Sequence, residues 1–543
     1  MNAFISPLEA SRQRGRCPQE STRGLAWHGV LLAIALGASS TLTGCGGGGG
    51  GGGSSPSPSP VNGPAWWGFG RDAQHAAQAG VATQPLARLI WQTRVDLNPV
   101  YSANGSLLIH YGSPVITSRN TVLVPVKTGA TGGFRLEARS GTDGTLAWSA
   151  DSDYALPAHG WTPSFNVTLT QGNRVYMPGA GGKLIYRDDA DSATGTPQTA
   201  VFYGTGAYDA ARALYDAAVF VNTPVTIDAQ GNLYFGFIVT TANPAGLSSG
   251  IARIGADGQG SWVAARGASG NALIAKVAMN SAPALSPDNA TLYVAVNSDP
   301  PEGQHASGLL LALDARTLAT KGRMPLSDPK TGAAAWVSDN GTSSPTVGPD
   351  GDVYYGVLEA NTPEHNFRGW LLHYDAALTQ TKIPGSFGWD DTASIVPASM
   401  VPSYSGSSPY LLASKYNNYA GVGTGDGRNR MAILDPGQSQ TDAISVLPVM
   451  REVLTILGPT AAPGFPGAVA EWCINTVAVD PLTNSVLVNN EDGRLYRWNL
   501  ASNQLTEQIR FNSGYAEAYT PTAVGPDGVI YAINNAVLFA VGR

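Results

Sequence analysis

The chain has 543 residues with a formal net charge of −7, and only 13% of its residues are charged. It contains 66 Gly and 37 Pro, a balance that disfavours long helices and suits short strands punctuated by turns. No Lys/Arg run or basic stripe is present, so the composition excludes a nucleic-acid-binding class that depends on phosphate neutralisation.

The N-terminal segment reads as an address. Residues 11–23 are polar and Arg-rich, and Val30–Leu36 forms an apolar run too short for a membrane span. Leu42-Thr43-Gly44-Cys45 follows and resembles the bacterial lipobox. That resemblance implies cleavage before Cys45, diacylation of its thiol and N-acylation, and so a firm membrane anchor. Gly46, in place of an aspartate, implies the outer membrane, and the absence of a twin-arginine pair implies general secretion. Residues 1–44 are therefore expected to be a lipoprotein signal peptide. Residues 45–63 are expected to be the lipidated cysteine and a tether, glycine from 46 to 53 and then a Ser-Pro run that favours extended backbone.

Cysteine usage agrees with this division. Cys17 lies in the signal and Cys45 is the anchor, which leaves Cys473 without a partner for a disulfide. Its setting, Trp472-Cys473-Ile474, predicts a buried and inert thiol.

From residue 64 onward one phrase recurs: a small residue, Pro, a polar turn, then an apolar run. Ser113-Pro114 leads to Val122-Leu123-Val124, and Thr162-Pro163 to Val175-Tyr176. Thr223-Pro224, Ala282-Pro283, Ser344-Pro345, Val401-Pro402 and Thr520-Pro521 begin five further copies, and Asn475-Thr476 begins one without proline. Eight units of about 60 residues, each with further strand-like segments, predict an all-β, eight-bladed β-propeller of four-stranded antiparallel blades. The last unit ends at Ala536–Val541 without an outermost strand, while Leu89–Val95, carrying Trp91, precedes the first. The N-terminal strand is therefore expected to complete the last blade and close the ring, removing an exposed sheet edge. Trp91 is expected to take the place that Trp148 takes in unit one.

Ala138-Arg139-Ser140-Gly141-Thr142-Asp143-Gly144-Thr145-Leu146-Ala147-Trp148 resembles the repeat of pyrroloquinoline-quinone (PQQ)-type propellers, A-x-D-x-x-T-G-x-x-x-W. Ala138, Gly144 and Trp148 match, and Ser140 and Asp143 depart from it. Trp67-Gly68-Phe69-Gly70-Arg71-Asp72-Ala73-Gln74-His75 looks like the segment that precedes such propellers. In the dehydrogenases of that family the resemblance implies PQQ on the axis, calcium held by carboxylate and amide oxygens, and a catalytic Asp. The chain has neither adjacent cysteines nor a Cys-x-x-Cys-His haem motif. The repeat residues build blades and carry no redox chemistry.

Other motifs fail on context. Gly246-Leu247-Ser248-Ser249-Gly250 fits G-x-S-x-G, yet it lies between strands of the third unit and reads as a hairpin loop. Gly421–Gly427 lacks both a following Lys-Ser/Thr and spaced carboxylates, and reads as a flexible inter-strand loop. His75, His110, His159, His305, His365 and His373 form no metal-binding pair, and His373 is expected to be a packed or edge histidine of a strand. Residues 206–221 are expected to include a short helix, as is Val449–Leu457 within the long segment 444–472. Both segments are expected either to bind a partner or only to cap a blade or plug the channel.

The resulting expectation is a non-enzymatic binding or scaffolding lipoprotein of the bacterial envelope, a monomeric propeller held at the outer membrane by Cys45. Its plan is similar to that of the propeller lipoprotein of the outer-membrane barrel-assembly machine. An envelope protein or a small molecule is the expected ligand, with no catalytic residue, metal or cofactor assigned. The alternative is a PQQ- and calcium-dependent periplasmic dehydrogenase of alcohols or sugars.

Overall fold

A tight inner hairpin is what the repeated phrase builds. In seven blades a short innermost strand turns into the second strand through one left-handed residue: Asn120, Asn173, Gly231, Asn289, Gly351, Asn484 or Gly528. Asn and Gly tolerate positive φ where other residues strain, which is why these turns are rich in them. The computed structural model describes residues 61–101, 107, 110–157, 165–299, 305–339 and 343–543. The signal, Cys45, most of the tether, His159 and the Thr162-Pro163 pair lie outside the described residues.

Eight antiparallel sheets follow one another along the chain. Blade one is representative, with strands Val115–Ile116, Thr121–Lys127, Phe134–Ser140 and Leu146–Ser152 in spatial order. The second strands are buried along almost their whole length, as in Leu233–Val239 and Thr291–Asn297. Neighbouring blades cover both faces, so these strands read as continuous apolar runs. The outermost strands, Thr320–Pro325 and Gln504–Arg510, alternate because one face meets solvent.

The ring closes as expected. Arg88–Arg94 pairs antiparallel with Val537–Gly542, Trp91 opposite Ala540, and becomes the outermost strand of blade eight. Trp91 is the one buried side chain of its strand, as Trp148 is of Leu146–Ser152. Both indoles latch their blade to the next: Trp91 Nε1 donates to the Gly141 carbonyl at 2.9 Å and Trp148 Nε1 to the Ala190 carbonyl at 2.9 Å. The glycine of the repeat is explained by the same seam. Gly144 has φ +75°, and a Cβ there would sit 2.7 Å from Trp91 Cδ2. The repeat's Gly and Trp therefore act across blades, Gly144 making room for Trp91 of the preceding blade.

Two expectations are corrected. Val449–Leu457 is not helical: Pro448–Leu457 is the outermost strand of blade six, paired with Arg430–Thr441. Cross-strand pairing and burial of Val449 and Met450 override its local helical pattern. The tip of this long hairpin packs on blade five, where the Met450 amide donates to the Pro384 carbonyl. Blade five needs that cover, because its fourth position is not a regular strand; only isolated bridges, Leu371 with Gly385 and Tyr374 with Thr381, occupy it. Val401-Pro402 leads to the strand Tyr410–Tyr416 as expected, but here, unlike in the other copies, the inner strand comes before the proline. That strand is Ser394–Pro397, and Pro402 lies in the connection after it.

The remaining local readings hold. Thr205–Ala210 and Arg212–Asp216 are short helices. Gly246–Gly250 leads into the third strand of blade three, between strands as expected. Residues 421–427 join strands of blade six, pinned where the Thr424 amide donates to Asn366 Oδ1 at 2.9 Å. His373 is packed against Tyr354, with Nε2 2.9 Å from Asp352 Oδ2.

Candidate functional site: the two ends of the axis

Four-stranded meanders place unlike connections on the two faces of the ring. The turns after the first and third strands lie on one face, termed the turn face. The loops between second and third strands, and the connections between blades, lie on the other, the connection face. Most long excursions, among them 201–225, 265–275, 358–369, 417–429 and 458–475, therefore crowd the connection face.

The axis is closed at the turn face by the chain's own lead-in segment. Carbonyls of Trp66, Trp67, Ala73, Gln74, Ala76 and Ala77 accept from the amides of Ile116, Leu169, Leu285, Val347, Ile395 and Val479. These are the second residues of six innermost strands, in blades one, two, four, five, six and seven. Inner strands present unpaired amides to the axis, and a segment coiled round it satisfies them. His75 anchors the coil: it is buried, edge-on to Phe69, and its Nδ1 donates to the Pro345 carbonyl at 2.7 Å. Burial pushes its pKa down to about 4, so the ring is neutral.

At the connection face the flanks of the inner strands form a polar ring. Thr520 Oγ1 donates to the Tyr111 carbonyl, and the Ser113 amide to Asn166 Oδ1. The Asn280 amide donates to the Asn222 carbonyl, the Ala282 amide to Ser344 Oγ and the Ser344 amide to Thr392 Oγ1. The amides of Thr392 and Asn475 donate to the carbonyls of Asn475 and Tyr519. Ser, Thr and Asn recur here because the two-residue inner strands leave flanking amides that no ladder pairs.

Charge concentrates between blades five and eight. Lys415, inside the buried strand Tyr410–Tyr416, makes an ion pair with Asp390, and both are buried. Burial pushes its amine down to about 8, while Cys473, Glu471 and Glu517 push it back up, so it stays charged at neutral pH beside Asp390. Burial pushes the Asp391 carboxyl up to about 8. Ser414 Oγ lies 2.7 Å from Asp391 Oδ2 and 2.8 Å from the Lys415 carbonyl. The Ser414 hydroxyl donates to Asp391 Oδ2 and the Lys415 amide to Oδ1, and both bonds partly offset the upward push of burial. Cys473 Sγ lies 3.3 Å from Glu517 Oε1, buried as its sequence setting predicts. The Tyr519 ring stacks on His110 at 4.1 Å and meets Lys415 Nζ 5.6 Å from its centroid.

This cluster can hold protons and hydrogen-bond a polar ligand. Its charged groups are already engaged with one another, and among the described residues no three His, Cys, Asp or Glu side chains converge as a metal-binding set.

Sequence reasoning named Cys473 but missed its neighbours. The visible signals were Lys415 within an apolar run and the adjacent acids Asp390-Asp391. Of the two long segments, 206–221 joins blades two and three on the connection face, where Tyr208 OH bridges Lys183 Nζ and Asp216 Oδ1 at 2.9 Å each. Segment 444–472 divides. Its first part caps blade five and completes blade six, and its last part delivers Trp472 to the axial cluster.

No protein-family model and no curated protein matches the chain. Among solved structures it is similar to a europium-containing methanol dehydrogenase, at 9% identity and TM-score 0.53 over 86% of this chain and 89% of that one. It is also similar to the quinohemoprotein alcohol dehydrogenase from Comamonas testosteroni, at 11% identity and TM-score 0.52 over 88% and 81%. BamB from Moraxella catarrhalis aligns at 11% identity and TM-score 0.40 over 83% and 98%. The likeness is one of fold: an eight-bladed propeller of the PQQ-like repeat type.

Proposed function

We propose that this chain is a membrane-anchored, non-enzymatic binding propeller of the bacterial envelope, lipidated at Cys45, which takes an envelope protein or polar small molecule on its connection face. The observation that carries the reading is the asymmetry of the ring. One end of the axis is stoppered by residues 66–77, and the other gathers the long excursions round a polar cluster whose charges pair internally. Rigid scaffolds with one face of loops are suited to recognition. The lipobox and tether support an envelope location.

The rival reading is the dehydrogenase one. Purified protein is reconstituted with PQQ and calcium and assayed for dye-linked oxidation of alcohols and sugars. The expected outcome is neither stoichiometric PQQ binding nor turnover, and turnover with one PQQ per chain would overturn the proposal. The anchor is tested separately: Cys45→Ala is expected to release the protein from membranes, and unchanged retention would refute lipidation.

A further inference from the structure

We infer that the anchored propeller stands with its turn face, stoppered by the lead-in segment, toward the membrane and its connection face directed away from it. The inference rests on lipidation of Cys45 and adds the orientation. Its basis is where the chain leaves the ring. The Gly63 amide donates to the Ser118 carbonyl at 3.0 Å, in the inner turn of blade one. A Cβ on Gly63 would sit 2.7 Å from the Pro526 carbonyl oxygen, in the inner turn of blade eight. The tether therefore emerges at the turn face, among the innermost turns, close to the axis.

Its reach makes the orientation directional. From Gly46 to Asn62 there are 17 residues, which reach at most about 60 Å. To set the connection face on the membrane, the tether would first cross four strands, about 15 Å. It would then pass a seven-residue strand, about 23 Å more. That path uses roughly two thirds of the tether's maximum reach, whereas the opposite orientation needs no detour. Asp143, Asp257, Asp288 and Asp350 are exposed in turns of the near face. Anionic headgroups therefore hold that face off at the tether's length instead of adsorbing it. The excursions carrying exposed Leu214, Leu273 and Tyr101 are left free for a partner.

The test uses the full-length lipidated protein in vesicles that contain an acceptor-labelled headgroup lipid. Donor dye is placed on Gln230→Cys, in the inner turn of blade three, or on Leu273→Cys, in the connection from blade three to blade four. Both positions are exposed, and the native Cys473 is buried. Energy transfer from position 230 is expected to be severalfold that from position 273. Equal or reversed transfer in protein that is retained on the vesicles would overturn the orientation alone. Protein that fails to remain on the vesicles, like Cys45→Ala, would overturn the anchor and the orientation with it.

Discussion

Truncating Trp91 to alanine should open the ring at the seam between blades eight and one. Trp91 is the only buried side chain of the closing strand. Burial of a side chain this size stabilises by ~4 kcal/mol, and its indole bond to Gly141 adds about 1 kcal/mol. A total near 4–5 kcal/mol corresponds to roughly a thousandfold loss of hydrogen-exchange protection. The loss should be confined to the amides of Arg88–Arg94 and Val537–Gly542 and to the Gly141 turn, because a propeller can open at one seam while distant blades stay closed. Local exchange is the better readout, since global unfolding of a long repeat array need not be two-state. Gly144→Ala supplies a second variant. It strains a left-handed φ and drives a Cβ into the Trp91 ring, so it should weaken the same amides by ~2 kcal/mol. Protection in Val537–Gly542 that stays within tenfold of wild type in Trp91→Ala would refute closure by this strand.

Two pH dependences follow from buried groups. Asp391 ionises at ordinary carboxylate values in the unfolded chain but holds its proton to about 8 in the fold. Stability should therefore decline as pH rises between about 4 and 8, by up to ~1.4 kcal/mol per unit. Asp391→Asn should remove one proton from that slope in urea titrations at several pH values, and an unchanged slope would exclude a neutral Asp391. His75 has the opposite sign. Its pKa falls to about 4 in the fold, so its share of stability is complete above about 6.5 and is lost as pH drops toward 4, ~3 kcal/mol in all. The loss should register as new exchange in residues 66–77 and in the inner strands they satisfy, and His75→Asn should abolish this acid sensitivity.

How far the sequence carries depends on the range of the interaction. The blade count, the closing strand and the equivalence of Trp91 and Trp148 were legible because each unit repeats the same local pattern of turn residue and apolar run. Pro448–Leu457 was misread because a ten-residue apolar stretch carries no decisive period, and its partner strand, not its own propensity, makes it a strand. Val401-Pro402 marked its turn and the strand Tyr410–Tyr416 after it, but nothing local says that the inner strand of that blade, Ser394–Pro397, lies before it. The cluster of Asp390, Asp391, Lys415, Cys473, Glu517 and Tyr519 was invisible as a cluster, since its members lie up to 129 positions apart and only ring closure brings them to one end of the axis.

Sequence alone determined that this is a ring of repeated β-units, because each unit is written in contiguous residues. Tertiary structure alone decided that residues 66–77 coil round the axis and stopper it, that Gly144 makes room for the preceding blade's Trp91, and that the chain leaves the ring at the turn face. Each depends on backbone amides and side chains that meet only when the blades are arranged about a common axis.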